Sequence, residues 1–339
     1  MKLKHLFFLF LGSIALLCSP CSCSTSTETE DVVGRILGDS SEAPVFLTCK
    51  AVTGTEIDFQ FSRPVRVISL YFDPAVEIES LEDGSVVRVV FSGGPAPGGK
   101  ITADLLVEDE KGNTMNVLVP LRTRNVRMPG LRINELRTEY SKPKAEFIEF
   151  KTLEEGNLAA LRLFIAGNSK NPMVYEFPSL EVAADEYILL HLRSMEETSR
   201  DETGDNLDES GGTDAVAGVR DLWRPGTEKV LHKTDVVYLL DQDDKVIDAV
   251  ALAENSDPQW NKEYLAGAAE FLYSQRAWES EEKELPGPNA AVNTFNIKTA
   301  MTRSVSRDET AADSNTLADW YITATGGISP GKPNKPERF

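Results

Sequence analysis

The chain has 339 residues, with 54 acidic against 35 basic side chains and a formal net charge of −19. Nucleic-acid affinity comes mostly from counterion release by Lys and Arg, so this balance argues against a phosphate-backbone binder and against simple adsorption to an anionic bilayer. An apolar fraction of 41% with 15 Phe argues against global disorder, and the length suits two domains.

Residues 1–23 begin with Lys2 and Lys4, continue through an apolar run from Leu6 to Leu17, and end in small residues. These are the parts of a secretory signal, and the run is shorter than the about 20 residues of a spanning helix. No later segment is apolar and long enough to span. Loss of the signal removes Lys2 and Lys4 and takes the charge to −21.

Cys18, Cys21 and Cys23 crowd the end of this segment, and Cys49 stands alone beyond it. A disulfide-stapled exported domain would scatter an even set of cysteines through its body. A Cys after the apolar run, followed by Ser24-Thr-Ser-Thr-Glu-Thr-Glu-Asp31, instead resembles the N-terminus of a bacterial lipoprotein. That resemblance implies a diacylglycerol-bearing Cys and a polar tether over residues 24–43. Cys18 follows bulky Leu17 and Cys21 follows Pro20, whereas Cys23 follows small Ser22 and is the expected lipidation site. Ordinary secretion with cleavage after Ser24 is the alternative.

From residue 44 to 125 the pattern has period two. Ile57, Phe59 and Phe61 alternate with polar residues, and Val86 to Phe91 is a short apolar run. Ile101, Ala103, Leu105 and Val107 alternate, Asp109 to Asn113 turns the chain, and Met115, Val117, Val119 and Leu121 return. Short strands with Gly and Pro punctuation predict an antiparallel β-sandwich. Phe59-Gln-Phe-Ser-Arg-Pro-Val65 resembles a stretch common in bacterial immunoglobulin-like modules. Arg122 to Gly130 reads as a linker.

A second β-rich segment spans residues 131–335. Its predicted strands include Arg132 to Leu136, Glu146 to Phe150, Leu161 to Ile165 and Glu186 to Leu192. Asp235 to Leu240 and Lys245 to Val250 predict a hairpin around Asp241, Asp243 and Asp244. Apolar residues at 264, 265, 268, 269, 271 and 272 predict a short amphipathic helix between Trp260 and Trp278. The 194–231 stretch, dense in acids from Glu196 to Asp214, reads as a long inserted loop.

The pieces "INEL" (133–136), "EFIEF" (146–150), "YEFPSLEVAADEYILL" (175–190), "VVYLLDQDDKVIDAV" (236–250), "TRSVSRD" (302–308) and "DSNTLADWYITATGGISPGKPN" (313–334) follow one another in order. Together they resemble the lamin tail domain, an immunoglobulin-like sandwich. The chain departs from the usual "LsGW" at Leu161-Arg-Leu-Phe164 and in the 194–231 insertion. The fold class expected is therefore all-β: two immunoglobulin-like antiparallel β-sandwiches, the second with one short helix and a long acidic loop.

Motifs for chemistry are sparse. Gly94 to Lys100 satisfies Gly-x4-Gly-Lys, but Ile101 stands where a phosphate loop needs Ser or Thr, and strand-like alternation follows. It reads as a hairpin loop. Leu37-Gly-Asp-Ser40 resembles the nucleophile block of one esterase family, yet no late Asp-x-x-His supplies a base. Past the signal only His191 and His232 remain, unclustered, and His191 reads as a satisfied sheet residue. Hard oxygens for calcium occur at Asp241, Asp243 and Asp244 and along Glu196 to Asp214, without the Gly and bidentate Glu of a calcium loop. They read as a solvated turn and a mobile acidic loop.

The expected protein is a membrane-anchored cell-envelope lipoprotein, a non-catalytic binding or structural module without catalytic, metal or cofactor residues. Its expected partners are the membrane, through the lipid, and another envelope protein or a glycan, but no nucleic acid. A calcium-dependent or acidic-site hydrolase acting on envelope material is the alternative.

Overall fold

The computed structural model describes residues 43–139, 144–167, 172–295 and 302–339. The signal, the tether up to residue 42, Cys18, Cys21, Cys23 and the Leu37 to Ser40 block lie outside the described residues. The fold is all-β, with several antiparallel sheets, and two separate hydrophobic cores fall within residues 57–117 and 131–320.

The first core belongs to β1 (Phe46–Ala51), β2 (Glu56–Asp73), β3 (Ile78–Glu82), β4 (Gly84–Phe91), β5 (Lys100–Asp109) and β6 (Thr114–Arg122). The 18-residue β2 is its spine: the first half pairs with β1 and β4, the second half with β5. Between the halves the β4 ladder jumps from Gln60↔Val86 to Val65↔Gly84. Pro64 sits in this gap, where its missing N–H costs no ladder bond. Phe59 and Phe61 fill the core before the gap and Val65 re-enters it after. Ser62 ties β2 to the residue before β1, its Oγ accepting from Val45 N at 3.0 Å. This is the physical content of the Phe59 to Val65 motif.

The run from Val86 to Phe91 is a strand of the first core, with Val87, Val89 and Phe91 buried and Val86 exposed. One expectation changes here. The Gly94 to Lys100 segment does not close a hairpin, because β4 and β5 both pair with β2 and not with each other. It carries the chain from one half of β2 to the other, and Lys100 opens β5. The Asp109 turn is as expected: Asp109 Oδ1 accepts from the Lys111 and Asn113 amides at 2.9 Å each.

The second core lies between two sheets. One is ordered β14-β13-β8-β7-β18-β19 and the other β11-β10-β15-β16-β17. In chain order these are β7 (Leu131–Arg137), β8 (Phe147–Thr152), β9 (Gly156–Asn157), β10 (Arg162–Ile165), β11 (Met173–Glu176), β12 (Glu181–Val182), β13 (Tyr187–His191), β14 (Arg220–Trp223), β15 (Asp235–Leu240) and β16 (Val246–Ala253). After helix α1 (Glu263–Ser274) come β17 (Val292–Asn293), β18 (Val305–Arg307) and β19 (Trp320–Ile322), while β9 and β12 form a small sheet of their own. The predicted hairpin is β15–β16, with Asp241 N bonded to Lys245 O at 3.0 Å. The predicted helix falls between Trp260 and Trp278 as expected and contains the whole apolar pattern: Leu265, Ala269 and Leu272 pack inward, and Trp278 is buried beyond its end.

The 194–231 insertion is not a mobile loop. It supplies β14, which runs parallel to β13 and extends that sheet. Glu202, 1% exposed, accepts from Asp221 N at 2.8 Å, and Trp223 Nε1 donates to Ser210 Oγ at 2.9 Å. The acids predicted to wave in solvent therefore include some that hold the segment down. The Arg122 to Gly130 stretch is likewise no free linker. Asn125 is 1% exposed, and its Nδ2 donates to the carbonyls of Asn157 and Ala159 at 2.7 and 2.8 Å.

Candidate functional site

Among the described residues two groupings of polar and charged side chains bear on function, a buried polar cluster in the second sandwich and a charged cleft where the two sandwiches meet. The cluster starts from Glu135 on β7 and Glu149 on β8, which face each other in register. Both are fully buried. Like charges directly opposite on a sheet repel, so the pair survives only by hydrogen bonding or by holding a proton. Burial first and Glu135 second push the Glu149 carboxyl up to about 8, and burial also raises Glu135.

The rest of the chain supplies the donors. Ser304 Oγ donates to Glu135 Oε1 at 2.5 Å and Ser306 Oγ at 3.2 Å, both from the β18 region. The backbone amide of Ser329 reaches both Glu135 oxygens at 3.2 and 3.1 Å. Glu149 accepts from Asn134 Nδ2 at 2.9 Å and from the Gly331 amide at 2.5 Å. A third carboxylate, Glu309, accepts from the Asn334 amide at 2.8 Å, from Lys151 Nζ at 2.6 Å and from Tyr187 Oη at 3.0 Å. Burial works against its charge, but the Lys151 bond and its neighbours hold it below the ordinary range. Asn334 Nδ2 completes the closure on the Asn134 and Arg307 carbonyls, each at 3.0 Å.

Beside this cluster Asp248 on β16 accepts both oxygens' worth of Arg307 Nη2 at 2.7 and 2.8 Å, and Ile133 N at 2.6 Å. Arg307 in turn donates to Ile133 O at 2.9 Å and lies 4.4 Å from the Trp320 ring centre. The bond set joins β16 of one sheet to β7 and β18 of the other. Burial raises the Asp248 carboxyl and Arg307 counters it. A second interior acid, Asp235, is raised to about 7 by burial, against amide bonds from Gly167, His232 and Val236.

The cleft, of about 450 Å³, opens between the sandwiches and is lined by Lys50, Arg122, Arg124, Arg162, Gln242 and the Asp243-Asp244 turn, among others. Arg124 forks onto Asp243, Arg162 Nη2 reaches Asp244 Oδ1 at 2.5 Å, and Arg122 pairs with Glu176. Gln242 and the Asn125 backbone exchange two bonds of 2.9 Å each. Arg124 holds the Asp243 carboxyl below its ordinary range. Gly98 belongs to the same junction: it has φ +61°, and a Cβ there would lie 2.9 Å from Ala159 Cβ. Cys49 also lines the cleft, and burial pushes its thiol up to about 12, away from the reactive thiolate.

The sequence candidates separate on this map. The Asp241 to Asp244 turn is not simply solvated: Asp243 and Asp244 face arginines, and Asp241 Oδ1 accepts from the Asp243 and Lys245 amides at 2.8 and 3.0 Å. Among the described residues no group of three or more His, Cys, Asp or Glu is placed to hold a metal ion. His191 is fully buried, with Nε2 2.6 Å from Asp221 Oδ1 and its ring stacked on Trp223 at 3.8 Å. His232, just past the insertion, is half-buried, and its backbone amide donates to Asp235 Oδ2 at 3.0 Å. Sequence reasoning missed Glu135, Glu149, Asp248 and Arg307 as one cluster. The signal that could have found them is an acid at an inward position of an otherwise apolar strand.

Residues 129–322 match the family model TP_1001_2nd, described as a protein second domain. An uncharacterized protein of Treponema pallidum (strain Nichols) is 26% identical over 227 residues, which cover 63% of this chain and 57% of that protein. The chain thus spans little more than half the length of that relative. The matched span runs from the strand carrying Glu135 to the strand carrying Trp320, and on it the chain belongs to the TP_1001_2nd second-domain family.

Proposed function

We propose that this is an exported, lipid-anchored cell-envelope protein whose two sandwiches form a non-catalytic binding and structural module for a protein or glycan partner. The observation that carries this reading is how the acids are used. Glu135, Glu149, Asp235 and Asp248, the buried carboxyls with raised pKa, are each bonded to backbone or side chains that join strands. Acids spent in this way support architecture, whereas the junction cleft presents arginines and a lysine from both sandwiches to solvent. A lamin-tail type for the second sandwich is part of the proposal. Its support is that the motif residues quoted above interlock: Glu135, Glu149, Asp248, Arg307, Ser329 and Asn334 come from five of those pieces. Acyl chains on Cys23, at about 0.8 kcal/mol per buried methylene, would hold the module to the membrane.

The test is a pull-down of the mature protein from its own envelope fraction, alongside palmitate labelling of wild type and Cys23→Ser. A partner retained by wild type and lost by Lys50→Ala/Arg162→Ala, with label only in wild type, is the expected result. Hydrolysis of envelope material by the purified protein, with no partner recovered, would replace this reading with the hydrolase. Unlabelled wild type would remove the anchor.

A further inference from the structure

The chain's last segment is seated on carboxylates by its own backbone. Ser329 N meets Glu135, Gly331 N meets Glu149, and Asn334 N meets Glu309. The first two acids stand opposite each other in the sheet interior, and the third is half-buried beside Lys151 and Tyr187. Gly326 (φ +80°) and Gly331 (φ +73°) sharpen the bend that brings these amides in. We propose that the bend over residues 327–333 is a pH-sensitive clasp, seated while the Glu135–Glu149 pair carries at most one charge and loosened when both ionise.

The argument is one of charge and access. A pair of buried carboxylates in cross-strand register tolerates one negative charge, because the amides and hydroxyls around it stabilise that charge and a proton remains on the other acid. A second charge finds no cation within the pair. Arg137, the cation that acts on Glu135, is committed to Asp214 and the Ala145 carbonyl. Lys151 is committed to Glu309. The remaining groups facing the pair are Asn134, Ser304, Ser306, Glu309 and Tyr321, none of them positive. Lifting the bend admits water to both acids, so the open form releases a proton that the seated form retains. Burial and the neighbouring acid raise Glu149 in the seated form, which agrees with this direction. Opening is local: Trp320 and Ile322 remain in the sheet, paired with Arg307 and Val305.

Amide hydrogen exchange on the full chain from about pH 5 to about pH 10 tests the clasp, once rates are corrected for intrinsic base catalysis. Protection at Ser329 and Gly331 should fall by up to about tenfold per pH unit between about pH 5 and about pH 8, the linkage for one proton, and level off above that, while β5 in the first sandwich keeps its protection. Glu149→Gln retains an acceptor for Gly331 and removes the titration, so protection there should be flat. Flat protection in wild type, or protection at Ser329 and Gly331 equal to that of β15 at every pH, would overturn the proposal. Should the variant not fold, the carboxyl carbon of Glu149 in labelled wild type gives the same answer. A midpoint near pH 8 shared with the Gly331 amide shift supports the clasp, and a midpoint below about pH 6 overturns it.

Discussion

Glu135 and Glu149 are cross-strand partners in the interior of the second sandwich, two carboxyls side by side where apolar residues would ordinarily pair. This has a consequence for the whole domain. Glu149 is raised to about 8 and Asp235 to about 7, so the folded state keeps protons that the unfolded chain has released. Their favourable contribution is complete below the ordinary carboxylate range and disappears as pH rises through about 7 and then about 8. Stability should therefore decline from about pH 5 to about pH 9, by at most about 1.4 kcal/mol per pH unit for each titrating group. Urea midpoints across that range check it. Glu149→Gln should flatten the alkaline part of the curve, and a wild-type curve rising toward pH 9 would contradict the assignment.

The Asp248–Arg307 pair should behave as a buried ion pair that is costly to break and far less costly to replace. Asp248 and Arg307 are 3% and 4% exposed, and their bonds join the two sheets. Removing one partner leaves an uncompensated buried charge, worth about 3–5 kcal/mol. Asp248→Asn and Arg307→Met should each lose about that much in urea unfolding. The double replacement Asp248→Leu/Arg307→Met should recover part of it, giving a clearly non-additive cycle. Additive losses would mean that the pair acts through packing alone.

Trp320 on the last strand is 6% exposed and belongs to the second core, with Arg307 over its ring. Trp320→Ala should cost about 3–5 kcal/mol, and Trp320→Phe less, because most of the apolar area remains. Thermal unfolding of the full chain should show the loss in the transition of the second sandwich and not of the first.

At the junction, burial decides which bond matters. Asn125 is buried and bonded to two carbonyls, so Asn125→Ala should cost about 1–3 kcal/mol by leaving them unsatisfied. The Arg124–Asp243 pair is solvent-exposed, and Asp243→Ala should barely move the unfolding midpoint. Small-angle scattering should show the two sandwiches sampling more arrangements in Asn125→Ala than in Asp243→Ala. Equal scattering profiles for the two variants would show that Asn125 does not fix the junction.

Much of this fold is legible in the alternation of apolar residues. β5, the β15–β16 hairpin and the helix all lie where periodicity places them, because burial on one face imposes a period of two or 3.6. The ordered motif pieces locate β7, β8 and the closing strands. What period cannot show is convergence: Glu135 and Glu149 read as ordinary strand acids until the sheet sets them opposite one another. The insertion misleads for a related reason. Its acids suggest a solvated loop, but Glu202 bonds Asp221 N across 19 residues and Asp214 pairs with Arg137 across 77, contacts that no local window contains. The linker misleads in the same way, since Asn125 finds its carbonyl partners more than 30 residues downstream.

Gly331 offers the sharpest test of how the insertion and the closing segment depend on each other. Its φ is +73°, and a Cβ added there would overlap the Val219 Cγ2 methyl just before β14, while its amide holds Glu149. Two costs should therefore appear in Gly331→Ala. The left-handed conformation contributes about 1–2 kcal/mol. Overpacking against Val219 contributes a further about 1–3 kcal/mol. Only the second is relieved by trimming the neighbour: Val219→Ala removes both methyls of that side chain and leaves a single Cβ. In a double-mutant cycle followed by urea unfolding, Val219→Ala should rescue part of the Gly331→Ala loss and never all of it. Full rescue would mean that the backbone at 331 is unstrained. No rescue would mean that the insertion does not pack on the closing segment, and the parallel β13–β14 edge would then need another support.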